Sequence, residues 1–339
     1  MRLPGSHRRT DPSRRPGPRA PGGLGVGGAG CDTAGVDERA AGSAAAARAD
    51  RHAVYGLTEY ACMLGSAGIW GASFVFIATS LEHFRPGVVT FVRIAVGLLT
   101  LTAFPGARAR IDRADRGRVV LLGVLWLAFP MTLYPIAQQH ISSGLTGMLG
   151  ASIPVFTAVV AGVVHRQLPA RVHGVGIAVG AVGIVLLGLP ALGAGRNSAV
   201  GVGLIVTACV SYGLAFNVAV PLVRRYGAMP VFWRALLVSV PLTLPYALVG
   251  LRHSTFGWRS LAANVTLGAG GTAIAFVLLL TLTARAGATR SSMTTYLEAA
   301  FAFALGTIIR HEPVRALEVL GCGTLLVGAW LSSRSAAGP

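Results

Sequence analysis

Two stretches decide how this chain folds: SSGLTGMLGASIPVFTAVVAG, residues 142–162, and GATRSSMTTYLEAAFAFALG, residues 287–306. Each is rich in small and apolar residues. Each is followed by a short basic loop and a glycine-rich apolar run, HGVGIAVGAVGIVLLG (173–188) in one case and LGCGTLLVGAWL (320–331) in the other. The order upstream also recurs. IWGAS (69–73) leads to Arg93 in TFVRIA, 23 residues after Trp70, and SYGLA (211–215) leads to Arg234 in FWRALL, 22 residues after Tyr212. Self-similarity of this kind marks an internal repeat.

Working outward, the chain beyond residue 60 is a succession of apolar runs near the twenty residues a helix needs to cross the hydrocarbon. They lie at 61–81, 87–105, 118–137, 144–164, 172–192, 199–220, 231–251, 261–283, 291–309 and 314–332. Pro241 and Pro245 interrupt the seventh, which membrane helices tolerate. Each repeat holds five runs, and five is odd, so the halves enter the membrane from opposite sides. The expected fold is an all-α integral membrane protein, ten transmembrane helices as two inverted five-helix repeats, 59–192 and 199–332. Residues 333–339 form a short cytoplasmic tail. Inverted repeats are a signature of alternating-access transporters with a substrate site near the midplane.

Composition agrees. Of 339 residues, 53% are hydrophobic and 12% charged, about half the charge of a soluble domain. The net charge of +17 comes from 29 basic residues, all arginine. Nucleic-acid domains cluster such residues on a folded face; here nine precede residue 60 and most others flank apolar runs. With the N-terminus inside, inner loops carry Arg108, Arg110, Arg113, Arg116, Arg118, Arg166, Arg171, Arg224, Arg225, Arg285 and Arg290. Outer loops carry Arg85, Arg196, Arg252, Arg259, Arg310 and Arg315. The positive-inside rule therefore puts both termini in the cytoplasm.

Residues 1–58, rich in Arg, Pro, Gly and Ala, read as a disordered tail. A native start at Val54 or Met63 is an alternative. The tail's GVGGAG (25–30) fits a dinucleotide pattern without the strand and helix that pattern needs. The four cysteines, Cys31, Cys62, Cys209 and Cys322, and the histidines show no metal-ligand spacing.

The repeat motifs resemble the EamA family of the drug/metabolite transporter superfamily. The WG at Trp70, the two arginines, the 142–162 block, GATRSSMTTYLEAAFAF, and RHEP (310–313) before LGCG carry the likeness over about residues 65–332. The resemblance implies ten helices around a central cavity and movement of small metabolites or drugs, often outward. Two departures stand out. The family's proline in the fourth segment is Pro154 in the first half and Ala299 in the second. Its closing glutamate is Glu312 in the second half and Gln167 in the first.

Three ionisable residues sit inside apolar runs, Arg93, Arg234 and Glu298, each costing about 3 kcal/mol on insertion scales. The arginines read as interfacial anchors that snorkel, or as a gate pair or anion-capture groups. Glu298 lies about 10 Å from the cytoplasmic end of its helix. Ser291, Thr294, Thr295 and Glu298 share a face that continues into Ala302. By depth, Arg234 is its expected partner. The acid reads as half of a structural ion pair, as a site for a cationic substrate or a coupling proton, or as a lipid-facing residue. Weaker candidates are Trp70, Tyr134, Gln138, Tyr212, Asn217 and Tyr296. The Gly174/Gly176 and Gly321/Gly323 pairs are expected to pack helices closely.

The pattern therefore predicts a secondary active transporter of the bacterial inner membrane, not an enzyme, with export the expected direction. It has no cofactor and no metal. Its partners are a small-molecule substrate and membrane lipid, without nucleic acid, and a homodimer is left open. The alternative is a non-transporting membrane receptor or interaction protein on the same fold.

Overall fold

A computed structural model describes residues 56–165, 171–193, 196–287, 291, 293–313 and 315–334. The tail through residue 55 lies outside them, as do Arg166, Gln167 and Arg290. Among the described residues the regular elements are all helical. In chain order they are α1 (Leu57–Ser80), α2 (Pro86–Thr102) and α3 (Arg113–Ala137), then α4 in two pieces, Ser143–Gly150 and Ile153–His165. There follow α5 (Arg171–Gly193), α6 (Arg196–Tyr226), α7 (Ala228–Leu251), α8 (Trp258–Ala286), α9 (Met293–Arg310) and α10 (Ala316–Arg334). Six of them, α1, α3, α4, α6, α7 and α8, contain stretches long and apolar enough to cross a membrane. Shorter apolar stretches form α2 and parts of α5 and α10. Helices satisfy their own backbone groups, which is what an apolar solvent demands.

Local chemistry explains where these helices start, bend and break. Pro86 opens α2, where its missing N–H is no loss. Pro154 does the opposite inside α4. It cannot donate to the preceding turn and its ring crowds the carbonyl there, so the helix breaks at residues 151–152. In α9 the corresponding Ala299 carries no such penalty, and the helix runs unbroken from Met293 to Arg310. Two helices widen into π-helical turns, α3 at Gly123–Ala128 and α8 at Leu267–Ile274. Such turns release backbone carbonyls from the regular ladder. Ser211 Oγ of α6 donates to Leu125 O at 2.7 Å, and Trp70 Nε1 of α1 donates to Gly271 O at 2.8 Å.

Lipid is as apolar as a leucine side chain, so helix association here rests on close packing. A Cβ on Gly71 of α1 would meet Phe301 and the backbone of α9, and one on Gly147 of α4 would meet Ala302 and Phe74. Ala302 is accordingly fully buried between α1 and α4. The glycines expected to pack helices closely do so in part, at a seam between α5 and α10. Gly183, Gly321 and Gly328 touch backbone across it, Gly328 lying against Gly176 and Gly180, whereas Gly174 and Gly323 face open space.

The loops assort to two ends. At one, Arg310 pairs with Glu82, Arg85 bonds His253 O and Ser254 Oγ, and His83 meets Ser260. At the other, Arg225 and Tyr226 bind Asp112 and Asp115, Arg234 binds Ala109 O, and Arg285 pairs with Glu59.

Candidate functional site

Arg93 belongs to α2 and is buried, with 9% of its surface exposed. It is not the interfacial snorkel that its sequence position suggested. Gly97, Gly268 and Gly271 let α2, α8 and α1 approach to backbone contact around it. At that depth Thr272 Oγ1 accepts a hydrogen bond from Arg93 Nε at 3.1 Å. Among the described residues this is the only side-chain hydrogen bond of Arg93, and neither terminal nitrogen donates to any of them.

Glu298 lies on α9, whose register against α1 is fixed where Gly71 meets the Glu298 carbonyl. Its side chain is partly exposed. The charge it faces is Arg93, and both residues also interact electrostatically with Tyr134 and Tyr212. Yet neither Arg93 nor Glu298 forms an ion pair among the described residues. The Glu298 carboxylate accepts no hydrogen bond from them either. Arg93 and Glu298 thus lie near enough to interact without an ion pair or hydrogen bond between them among the described residues, each with unused hydrogen-bonding capacity. The lipid-facing reading of Glu298 does not hold.

The expected pairing with Arg234 does not form. Arg234 Nη2 donates to Ala109 O at 2.8 Å, and its guanidinium lies 5.6 Å from the Trp233 ring centroid. It anchors the α2–α3 loop to α7. Depth along the chain misled here because Arg93 sits well inside α2, packed on Thr272 of α8, a contact the apolar pattern does not encode.

Aromatic groups complete the site. The Tyr134 ring lies 5.9 Å from Phe74 and 6.3 Å from Tyr212, and Tyr212 stacks on Phe216 at 6.3 Å. Cys209, fully buried beside Tyr134, donates its thiol to Leu149 O at 3.7 Å. The sequence gives no signal that singles out Cys209 from an ordinary buried thiol.

Other sequence candidates have different surroundings. Asn217 is tied to Thr157 O (3.2 Å) and Gly213 O (2.8 Å), a helix-packing role. Gln138 caps the end of α3 through its backbone, and its buried amide atoms have no partner among the described residues. Tyr296 packs against the larger core cluster. Trp70 reaches the site only through the Gly271 carbonyl. The polar stripe on α9 divides: Ser291, Thr294 and Ala302 are buried, while Thr295 and Glu298 remain partly exposed. Among the described residues no cluster of His, Cys, Asp or Glu has the makings of a metal site.

Glu312 has a different task. Its Oε1 accepts from Ser143 N (2.7 Å) and Ser143 Oγ (2.6 Å), and its Oε2 accepts from Gly144 N (2.8 Å). A carboxylate thus caps the N-terminus of α4 from the loop before α10, where the helix dipole favours negative charge.

A model of the EamA-like transporter family matches residues 57–189 and again 199–334. The chain belongs to that family. It is 24% identical to an uncharacterized transporter, YdfC, of Bacillus subtilis, over 77% of this chain and 86% of the other. It is 23% identical to a probable terminal-alkyne amino-acid exporter of Streptantibioticus cattleyicolor, over 79% and 91% of the two chains. An uncharacterized inner membrane transporter, YedA, of Escherichia coli is 29% identical over 35% of this chain and 40% of its own. A solved crystal structure superposes with a TM-score of 0.55 at 17% identity, covering 84% of this chain and 98% of the other, which supports the fold. The protein is an integral membrane transporter that handles a small-molecule substrate and contacts lipid.

Proposed function

We propose that the chain is a secondary transporter that moves a small zwitterionic metabolite outward across the bacterial inner membrane. It works by alternating access between two inverted five-helix repeats, α1–α5 and α6–α10, with both termini cytoplasmic. The observation that carries the substrate class is the confrontation of Arg93 and Glu298, one from each half, without an ion pair. A guanidinium with two free nitrogens is suited to a carboxylate, and a carboxylate without donors is suited to an ammonium. A molecule bearing both groups satisfies both residues at once. Tyr134 and Tyr212 supply the wall between them. The amino-acid exporter named among the relatives supports the same class.

The test is flux in proteoliposomes. Amino acids, nucleosides and cationic drugs are offered under an imposed pH gradient, with Arg93→Ala and Glu298→Gln as controls. The expected result is movement of an amino acid that both substitutions abolish. Transport of nucleosides or drugs alone, or amino-acid flux indifferent to both substitutions, refutes the reading. No flux of any compound would favour a receptor.

A further inference from the structure

Many threonines in the helices of this protein share one hydrogen bond. Thr90, Thr102, Thr132, Thr157, Thr207 and Thr283 each donate the side-chain hydroxyl to the carbonyl four residues back. Thr272 does not. It sits in the π-helical turn Leu267–Ile274 and is 1% exposed. Its hydroxyl oxygen is turned to Arg93 Nε. The turn itself is held from the other half by Trp70, whose indole donates to the neighbouring Gly271 carbonyl. The local sequence LGAGGTAI permits this, because side chains at Gly268 and Gly271 would collide with Arg93 O, Val96 and Ser73.

We propose that Thr272 is a positioning residue for Arg93 and thereby a determinant of specificity for the substrate's carboxylate. By fixing Nε, it sets the plane of the guanidinium and points the two free nitrogens away from α8. The remaining fork is then presented in one orientation, which bidentate recognition of a carboxylate requires. The opposing acid, Glu298, lies on α9 and, among the described residues, shares no hydrogen bond with Thr272, so recognition of an ammonium group is independent of it. This inference rests on the reading of Arg93 and Glu298 as the two ends of a zwitterion site.

The experiment compares L-phenylalanine with 2-phenylethylamine, which lacks only the carboxylate, by calorimetric binding to the purified transporter. Thr272→Val keeps shape and removes the acceptor; Thr272→Ser keeps the acceptor. The expected result is that Thr272→Val weakens L-phenylalanine about tenfold, leaves the amine unchanged, and is matched by no loss in Thr272→Ser. Should Thr272→Val fail to insert, Thr272→Ala carries the same comparison. Equal weakening of both ligands would show a structural role and overturn the proposal. So would unchanged L-phenylalanine binding in Thr272→Val when Arg93→Ala abolishes it, a result that leaves the zwitterion site standing. If Arg93→Ala binds L-phenylalanine like the wild type, or the wild type does not bind it, the site reading fails and the proposal with it.

Discussion

Glu312 offers the sharpest test of how this fold is held together. Its carboxylate accepts three hydrogen bonds, at 2.7, 2.6 and 2.8 Å, all from the first turn of α4. Hydrogen bonds to a charged group contribute about 1.5–3 kcal/mol each when measured singly, and the helix terminus adds about 0.3–1 kcal/mol. Three bonds to one carboxylate do not add, and the charge is partly solvated when freed. The net loss on Glu312→Ala is therefore about 3 kcal/mol. For a domain of this size that corresponds to a fall in apparent Tm on the order of 6 °C. The assay is intrinsic fluorescence during heating in detergent, for which the five tryptophans are sufficient reporters. Glu312→Gln separates charge from shape. Oriented to keep its oxygen on Ser143, it turns an amide N–H₂ toward Gly144 N, donor against donor, and recovers less than half of the loss. A shift of under about 1 °C in Glu312→Ala would refute the argument that this cap joins the α9–α10 loop to α4.

Three further outcomes follow from the packing and the charges. Gly147→Val drives a side chain into Ala302 and Phe74 and is expected to destabilise by about 1–3 kcal/mol, read as the same thermal shift, whereas Gly323→Ala, which meets nothing, leaves Tm unchanged. A double-mutant cycle on Asp115→Ala and Arg225→Ala gives a coupling of at most about 1 kcal/mol, because Arg225 is largely exposed, and a larger value would mean the α2–α3 loop is drier than it is drawn. Arg234→Ala keeps substrate affinity within about twofold while Arg93→Ala loses it; parity between the two, measured as binding, would restore the arginine that sequence depth favoured.

Much of the fold is legible in the sequence because hydropathy and helix length are local properties. The apolar runs and the echo of IWGAS in SYGLA follow from spacing alone. The partner of Glu298 does not. Choosing Arg93 over Arg234 requires the packing of α2 on α8, where Gly97 meets Thr272 and Gly268 and Arg93 bonds Thr272 across two halves of the chain. No periodicity within α8 records that meeting. Cys209 is hidden for a similar reason, since its proximity to Tyr134 arises from the packing of α6 against α3 and α4.

The exchange of Pro154 for Ala299 bears on how the two halves divide their labour. Broken helices in transporters commonly offer freed backbone groups to substrate or ion. In α4 the proline produces that break, and the opened turn at 149–152 borders Cys209 and Tyr134: Cys209 bonds Leu149 O, and Gly150 lies against the Tyr134 hydroxyl. In α9 the alanine, 1% exposed, restores a continuous helix and closes off that source of polar groups. Position 298 answers Ile153 of the first half, and there the second half supplies a carboxylate instead. Glu298 interacts with the same Tyr134 that the opened turn of α4 borders. The two fourth segments thus reach one aromatic wall by different chemistry, backbone from one and a side chain from the other. Placing proline at 299 should therefore break α9 beside the acid and abolish binding through Glu298, even though it makes the two halves more alike.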